Sequence, residues 1–242
     1  MGRATALARA ARGDDVTVVG RDRRDSPAGI HFLRGDLSEI AEVERVAARI
    51  TERHERVDAL ALFANRPMPK RTETADGLEY TFALYYLSRY LLGERLAPLM
   101  DTTSVIVNVA GVGTTKGGIR WTDPQLRDSY GIVRAQLQAG RANDLLGVGY
   151  TGKARYVLYH PGFTRSGLDG HPNPWVRGVL RTLGVFARPV ARSVAPIVEW
   201  IEDPPAEPLT AVDRGRRVDM SLPTLDPAEA RRLRAYTEEL LG

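Results

Sequence analysis

Short apolar runs rich in β-branched residues alternate along this chain with longer stretches in which apolar side chains recur every three or four positions. Val16 to Val19, Ile30 to Leu33, Val57 to Phe63, Ser104 to Val109 and Arg155 to Tyr159 have the first character and predict strands. Few polar residues interrupt them, which is the pattern of a parallel sheet with both faces covered. Ser38 to His54 has the second character. Ile40, Val43, Val46, Ala47 and Ile50 share one helical face, and Asp36 with Glu39 three residues on reads as a capping box. Gly77 to Leu99 and Gln125 to Leu146 predict two longer helices. This alternation predicts a doubly wound α/β fold with a parallel sheet, in a single domain spanning residues 1–242.

After Tyr159 the pattern changes. Pro161-Gly162 ends a strand, a Gly- and Pro-containing stretch runs from Phe163 to Trp175, and Val176, Val179, Leu180, Leu183 and Phe186 then recur at helical spacing beside Arg177 and Arg181. Residues 163–190 are read as a lid over a cleft, in preference to a basic helix lying on a membrane. Leu209 to Val212 and Val218 to Met220 flank a turn at Asp213-Arg214-Gly215, and a polar helix closes the chain from Asp226.

Composition narrows the chemistry. The 242 residues are 43% hydrophobic and 26% charged, a balance that supports a sizeable core and excludes a disordered or collagen-like chain. Cys is absent and His numbers four, so no disulfide, thiolate site, cysteine nucleophile or metal centre is expected, and a reducing cytoplasm suits the chain. The net charge of +4 comes from basic residues spread among 30 acids, which describes a solvated surface and not a nucleic-acid-binding stripe. No apolar run approaches the ~20 residues of a membrane span, and the N-terminus lacks a signal-peptide core. Of the 34 basic residues only Lys70, Lys116 and Lys153 are lysines; the 31 arginines reflect the codon usage of a high-GC genome.

Several landmarks occur in a telling order. Met1-Gly2-Arg3-Ala4 runs directly into a helical pattern, Val18-Val19-Gly20-Arg21-Asp22 ends the first strand, and Gly35-Asp36-Leu37-Ser38 follows the second. Thr74-Ala75-Asp76-Gly77 with Phe82, the Val105 to Val109 strand and His160-Pro161-Gly162-Phe163-Thr164-Arg165-Ser166 complete the set. Together they resemble the short-chain dehydrogenase/reductase superfamily, nearest its retinol-dehydrogenase-like branch, over nearly the whole chain. The resemblance implies a Rossmann-like fold and a bound dinucleotide. It aligns Met1-Gly2 with the last positions of the family's Gly-rich turn, so the first strand and the earlier glycines have no counterpart. Arg21 falls beside the adenosine ribose, where a guanidinium favours a 2′-phosphate, and hence NADP. The cofactor-binding residues implied are Gly2, Arg21, Asp36, Leu37, Ala64, Asn65, Pro161, Gly162 and Thr164. Asp36 also reads as a helix cap, and Arg21 equally as a surface arginine.

The family's chemistry uses a tyrosine acid with a lysine four residues later, a serine that holds the carbonyl, and an asparagine. None is found intact. The residues four before the three lysines are Arg66, Val112 and Gly149, so no YxxxK exists. The serine segment reads Asn108-Val109-Ala110-Gly111, with Thr114 or Thr115 as loop substitutes, and the asparagine falls on Phe63, two places before Asn65. One register places the acid pair at Gln136 and Gly140, which deletes both groups. The other places it at Tyr130 and Arg134, whose fixed guanidinium fork differs from a lysine's point charge. Tyr85 and Arg89 form a second YxxxR. Three functions follow from the resemblance: an NADP-dependent oxidoreductase of a small, largely apolar carbonyl or alcohol with altered chemistry; a non-redox cyclase or isomerase on this scaffold, with Tyr130, His160 or Asn108 moving protons; or a catalytically silent binding or assembly protein. A small-molecule ligand is implied, and such proteins commonly pair as homo-oligomers.

Overall fold

The computed structural model describes residues 1–22, 29–114, 116–162 and 189–242. The elements are α1 (Gly2–Ala10), β1 (Val16–Gly20), β2 (Ile30–Arg34), α2 (Ile40–Arg53) and β3 (Ala59–Leu62). They continue with α3 (Tyr80–Phe82), a π-helical turn (Ala83–Leu87), α4 (Ser88–Leu96), β4 (Val105–Val109) and α5 (Ile132–Val148). The chain closes with β5 (Arg155–His160), α6 (Val190–Glu202), β6 (Leu209–Asp213), β7 (Arg216–Arg217) and α7 (Pro227–Leu241). The lid reading of residues 163–190, Thr115 and Thr164 lie outside the described residues, apart from Pro189 and Val190.

The strands run parallel, as the unbroken apolar runs require, except that β7 returns antiparallel to β6 across the Asp213-Arg214-Gly215 turn. They form two pieces, one of β1 and β2 and one ordered β3-β4-β5-β6-β7. Among the described residues nothing pairs β1 with β3. Alternation along β4 to β6 sorts their side chains onto two faces. Ile106, Tyr156, Leu158 and Ala211 face α5 and α7 in the larger core; Val105, Val107, Val157, Tyr159 and Val212 face α6 in the smaller one. Val43, Val46, Ala47 and Ile50 carry α2 into the larger core as their spacing predicts.

Several boundaries differ from expectation. The capping box does not form: Glu39 is the N-cap residue of α2, its carboxylate accepts from Ala75 N, and Ile40 N donates to Asp76 instead. Asp36 turns back on Ser38, accepting from both its N–H and its hydroxyl. The helix expected from Gly77 begins at Tyr80, where Glu79 caps Thr81 N and Phe82 N. The helix expected from Gln125 begins only at Ile132, because Leu126 takes a left-handed φ of 48° and Asp123 accepts the Arg127 and Asp128 amides to hold a turn. The last expected strand, Val218 to Met220, is replaced by Arg216–Arg217, although Val218 N still donates to Ala211 O. Among the described residues no helix is long and apolar enough to cross a membrane.

Candidate active site

The segments that leave the carboxyl ends of β3 and β4 meet the N-terminal part of α5 through Asn65–Gln136 and Ala110–Ala139, and several residues singled out from the sequence follow the strands at this end of the sheet. A parallel sheet delivers its strand ends to one edge, so loops far apart in sequence converge there. Ala64 and Asn65 follow β3, Ala110 and Gly111 follow β4, and Pro161 and Gly162 follow β5.

Beneath this edge lies a buried polar network. Arg89, 1% exposed on α4, donates to Ala64 O at 2.9 Å, to Val109 O at 3.0 Å and to Asn108 Oδ1, tying the ends of β3 and β4 together. Its guanidinium stacks 4.6 Å from the Tyr85 ring centroid. Burial pulls the Arg89 pKa down to about 10, and its Nε has no partner among the described residues. Asn108 donates onward to Asn143 Oδ1 at 3.1 Å and to the Tyr156 hydroxyl at 2.9 Å. Asn143 in turn donates at 2.8 Å to Tyr85 O, a carbonyl within the π-helical turn. Tyr85 packs on Ala110 and Ala139, and burial raises its phenol against the opposing pull of Arg89.

On α5 the two registers separate clearly. Tyr130 precedes the helix and donates its hydroxyl to Met68 O at 2.6 Å, while the exposed Arg134 guanidinium turns back to Ser129 O. The two therefore do not share a helix face. Gln136 and Gly140 do lie one turn apart on α5. Gln136 exchanges two hydrogen bonds with the Asn65 amide, and a Cβ added at Gly140 would meet nothing within 4 Å.

The dinucleotide candidates are placed as follows. Gly2 opens α1 against the end of β3, where an added Cβ would come within 3.2 Å of the Phe63 ring. Arg21 and Asp36 follow β1 and β2 and face each other at 3.9 Å, with the guanidinium about half exposed. Leu37 packs partly buried on the larger core.

At the other side of the edge, His160 Nδ1 lies 2.8 Å from Asp213 Oδ1, and Thr114 donates to Asp213 Oδ2 at 3.3 Å. Arg214, at a left-handed φ of 50°, also reaches both carboxylate oxygens at 3.2 Å. Its stem fills the space a Cβ would take at Gly162, whose φ is +82°. Burial acts to raise the Asp213 carboxyl, but hydrogen bonds from Arg214 and His160 outweigh it and hold the pKa low. Arg89 and Asp213 stand in the sequence only as part of a second YxxxR and of a turn. The signal available for the first was its place between Tyr85 to Ser88 and Tyr90 to Leu92, a stretch buried on every side.

No protein-family model matches the chain. It is 30% identical over 256 residues to the "putative daunorubicin C-13 ketoreductase DnrU" of Streptomyces sp. (strain C5), an alignment covering 96% of this chain and 86% of that protein. It is 28% identical over 195 residues to retinol dehydrogenase 13 of Homo sapiens, covering 71% and 58%. Its fold matches the crystal structure of a short-chain dehydrogenase from Streptomyces avermitilis with a TM-score of 0.62 at 22% identity, over 98% of this chain and 90% of that one. On the strength of the first relative, the chain belongs to the short-chain dehydrogenase/reductase superfamily of oxidoreductases.

Proposed function

We propose that this protein is an NADP-dependent oxidoreductase of a small, largely apolar carbonyl or alcohol, working without the tyrosine and lysine on which its superfamily relies. The observation that carries this reading is the convergence of the β3 and β4 ends on α5 over a fixed polar network. The residues present fit a dinucleotide. Arg21 holds Asp36 only at 3.9 Å and has a half-exposed guanidinium to offer a 2′-phosphate, and Gly2 keeps the backbone close to β3. When bound, the cofactor supplies the hydride. Arg21 and Asp36 would hold its adenosine end, and Ala64, Asn65, Pro161 and Gly162 would border its nicotinamide end. A groove of about 570 Å³ between Gly117, Gly118 and the start of α5, with Ile132 and Val133 exposed on its wall, suits an apolar substrate.

One observation favours a second reading, a silent binding protein or a non-redox enzyme on the same scaffold. The Asn65–Gln136 pair puts two neutral amides, satisfied by each other, where an acid is needed. Titration with NADPH and NADP⁺, followed by fluorescence or heat, separates the two. Binding with turnover of a carbonyl panel supports the first. Binding without turnover supports the second, and no binding up to millimolar cofactor overturns NADP dependence.

A further inference from the structure

We propose that His160, positioned by Asp213, is the proton donor and acceptor of this site, acting on the substrate oxygen in place of the absent tyrosine. The inference rests on the carbonyl reduction proposed above and gives it the acid it lacks.

Face alternation is the first support. Along β5, Tyr156 and Leu158 face α5 and Tyr159 faces α6, so His160, the next residue, projects on the α5 side. By the same count Asp213 follows Val212 onto that side, and Ala110 meets Ala139 of α5 there. Ala110 and His160 are near neighbours at the ends of adjacent strands, since Ala110 N donates to Tyr159 O. The imidazole therefore stands one strand from the segment where the superfamily places its carbonyl-binding serine, on the face where its tyrosine would lie.

The second support is how firmly the ring is held. His160 and Asp213 are register partners across β5 and β6, and their side chains meet at 2.8 Å. Arg214 N donates to His160 O at 2.7 Å from a left-handed backbone, a conformation retained only where the surroundings impose it. Asp213 and Arg214 are the charged groups facing the ring among the described residues. A carboxylate on Nδ1 fixes the neutral tautomer with its proton there and leaves Nε2 to exchange protons. The His160 side chain is 34% exposed and that of Asp213 12%, so the ring is open to a ligand while its anchor is not.

In the step proposed, the carbonyl carbon accepts a hydride from NADPH, which leaves as NADP⁺, and the carbonyl oxygen accepts the Nε2 proton of protonated His160. The ring, left neutral, regains its proton from solvent.

The test combines imidazole nitrogen NMR with turnover on the full chain. Four histidines give few resonances, and His160→Gln assigns the one at issue. The expected spectrum has the neutral ring protonated on Nδ1, and Asp213→Asn shifts it toward Nε2. In turnover, His160→Gln is expected to lose at least about 100-fold in kcat, with NADPH affinity unchanged within twofold. Asp213→Asn should lose about tenfold, with the limb of the pH profile displaced. If His160→Gln does not fold, His160→Asn keeps an N–H toward Asp213 and serves instead. Wild-type turnover that survives His160 substitution within threefold overturns the proposal, as does a tautomer indifferent to Asp213→Asn. Failure of the wild type to bind NADPH overturns the redox reading, and this inference falls with it.

Discussion

The side-chain amides of Asn65 and Gln136 exchange two hydrogen bonds, at 2.9 and 3.1 Å, across the space between the end of β3 and α5. Each amide satisfies the other, so this part of the site holds neither charge nor a titratable proton. One turn along, Gly140 leaves open space where a lysine stem would run. Gly140→Ala should therefore stabilise the protein by about 1 kcal/mol, because it removes a helix-interior glycine without a clash. Urea unfolding reads this as a higher midpoint at an unchanged slope. Gln136→Tyr with Gly140→Lys should raise NADPH-dependent carbonyl reduction at least tenfold, measured by NADPH absorbance.

Arg89 is the hub beneath the site. Replacing it with Met keeps the bulk and removes the donors to Ala64 O, Val109 O and Asn108 Oδ1. A loss of about 3 kcal/mol is expected, since buried carbonyls cost about 1–3 kcal/mol each when left unpaired, offset by relief of a buried charge. Denaturant titration checks it, and a neutral result would show that the charge costs as much as its hydrogen bonds return.

Asp144 sits fully buried on α5, where its carboxylate meets Arg141 at 2.8 Å. Burial pushes its pKa up to about 7 despite the arginine. The folded state therefore holds this proton more tightly than the unfolded one, so the group's contribution is complete below about pH 4 and is lost as pH rises through 7. Unfolding free energy measured from pH 4 to 8 should fall along that range through this group. Asp144→Asn should remove that component of the slope.

Arg21 tests the cofactor assignment. Arg21→Ala should weaken NADPH binding at least about tenfold and leave NADH binding unchanged, because only the 2′-phosphate needs the guanidinium. Calorimetric titration of both nucleotides gives the ratio. An equal effect on both would reduce Arg21 to a surface residue.

Much of the fold was legible because it rests on local patterns. The apolar runs of β1 to β5 and the amphipathic face of α2 stand in the sequence as they stand in the structure, since burial of both sheet faces and of one helix stripe leaves a periodic trace. The start of α5 left no such trace. Leu126 adopts a left-handed backbone that its side chain does not advertise, and Asp123 holds the turn through amides four and five residues on.

The chain's own order of residues established that no lysine follows a tyrosine at helical spacing, and that Ala110 and Gly111 carry no hydroxyl where a serine would serve. Three lysines can be tested one by one without coordinates. Tertiary structure decided what stands in their place. It separated Tyr130 from Arg134 at a helix boundary, paired Gln136 with Asn65 across 71 positions, and set His160 against Asp213 across 53. Those pairings depend on which strand ends lie side by side in a parallel sheet. Spacing within a helix is fixed by the backbone alone, whereas neighbours across a sheet are fixed only when the whole core has packed.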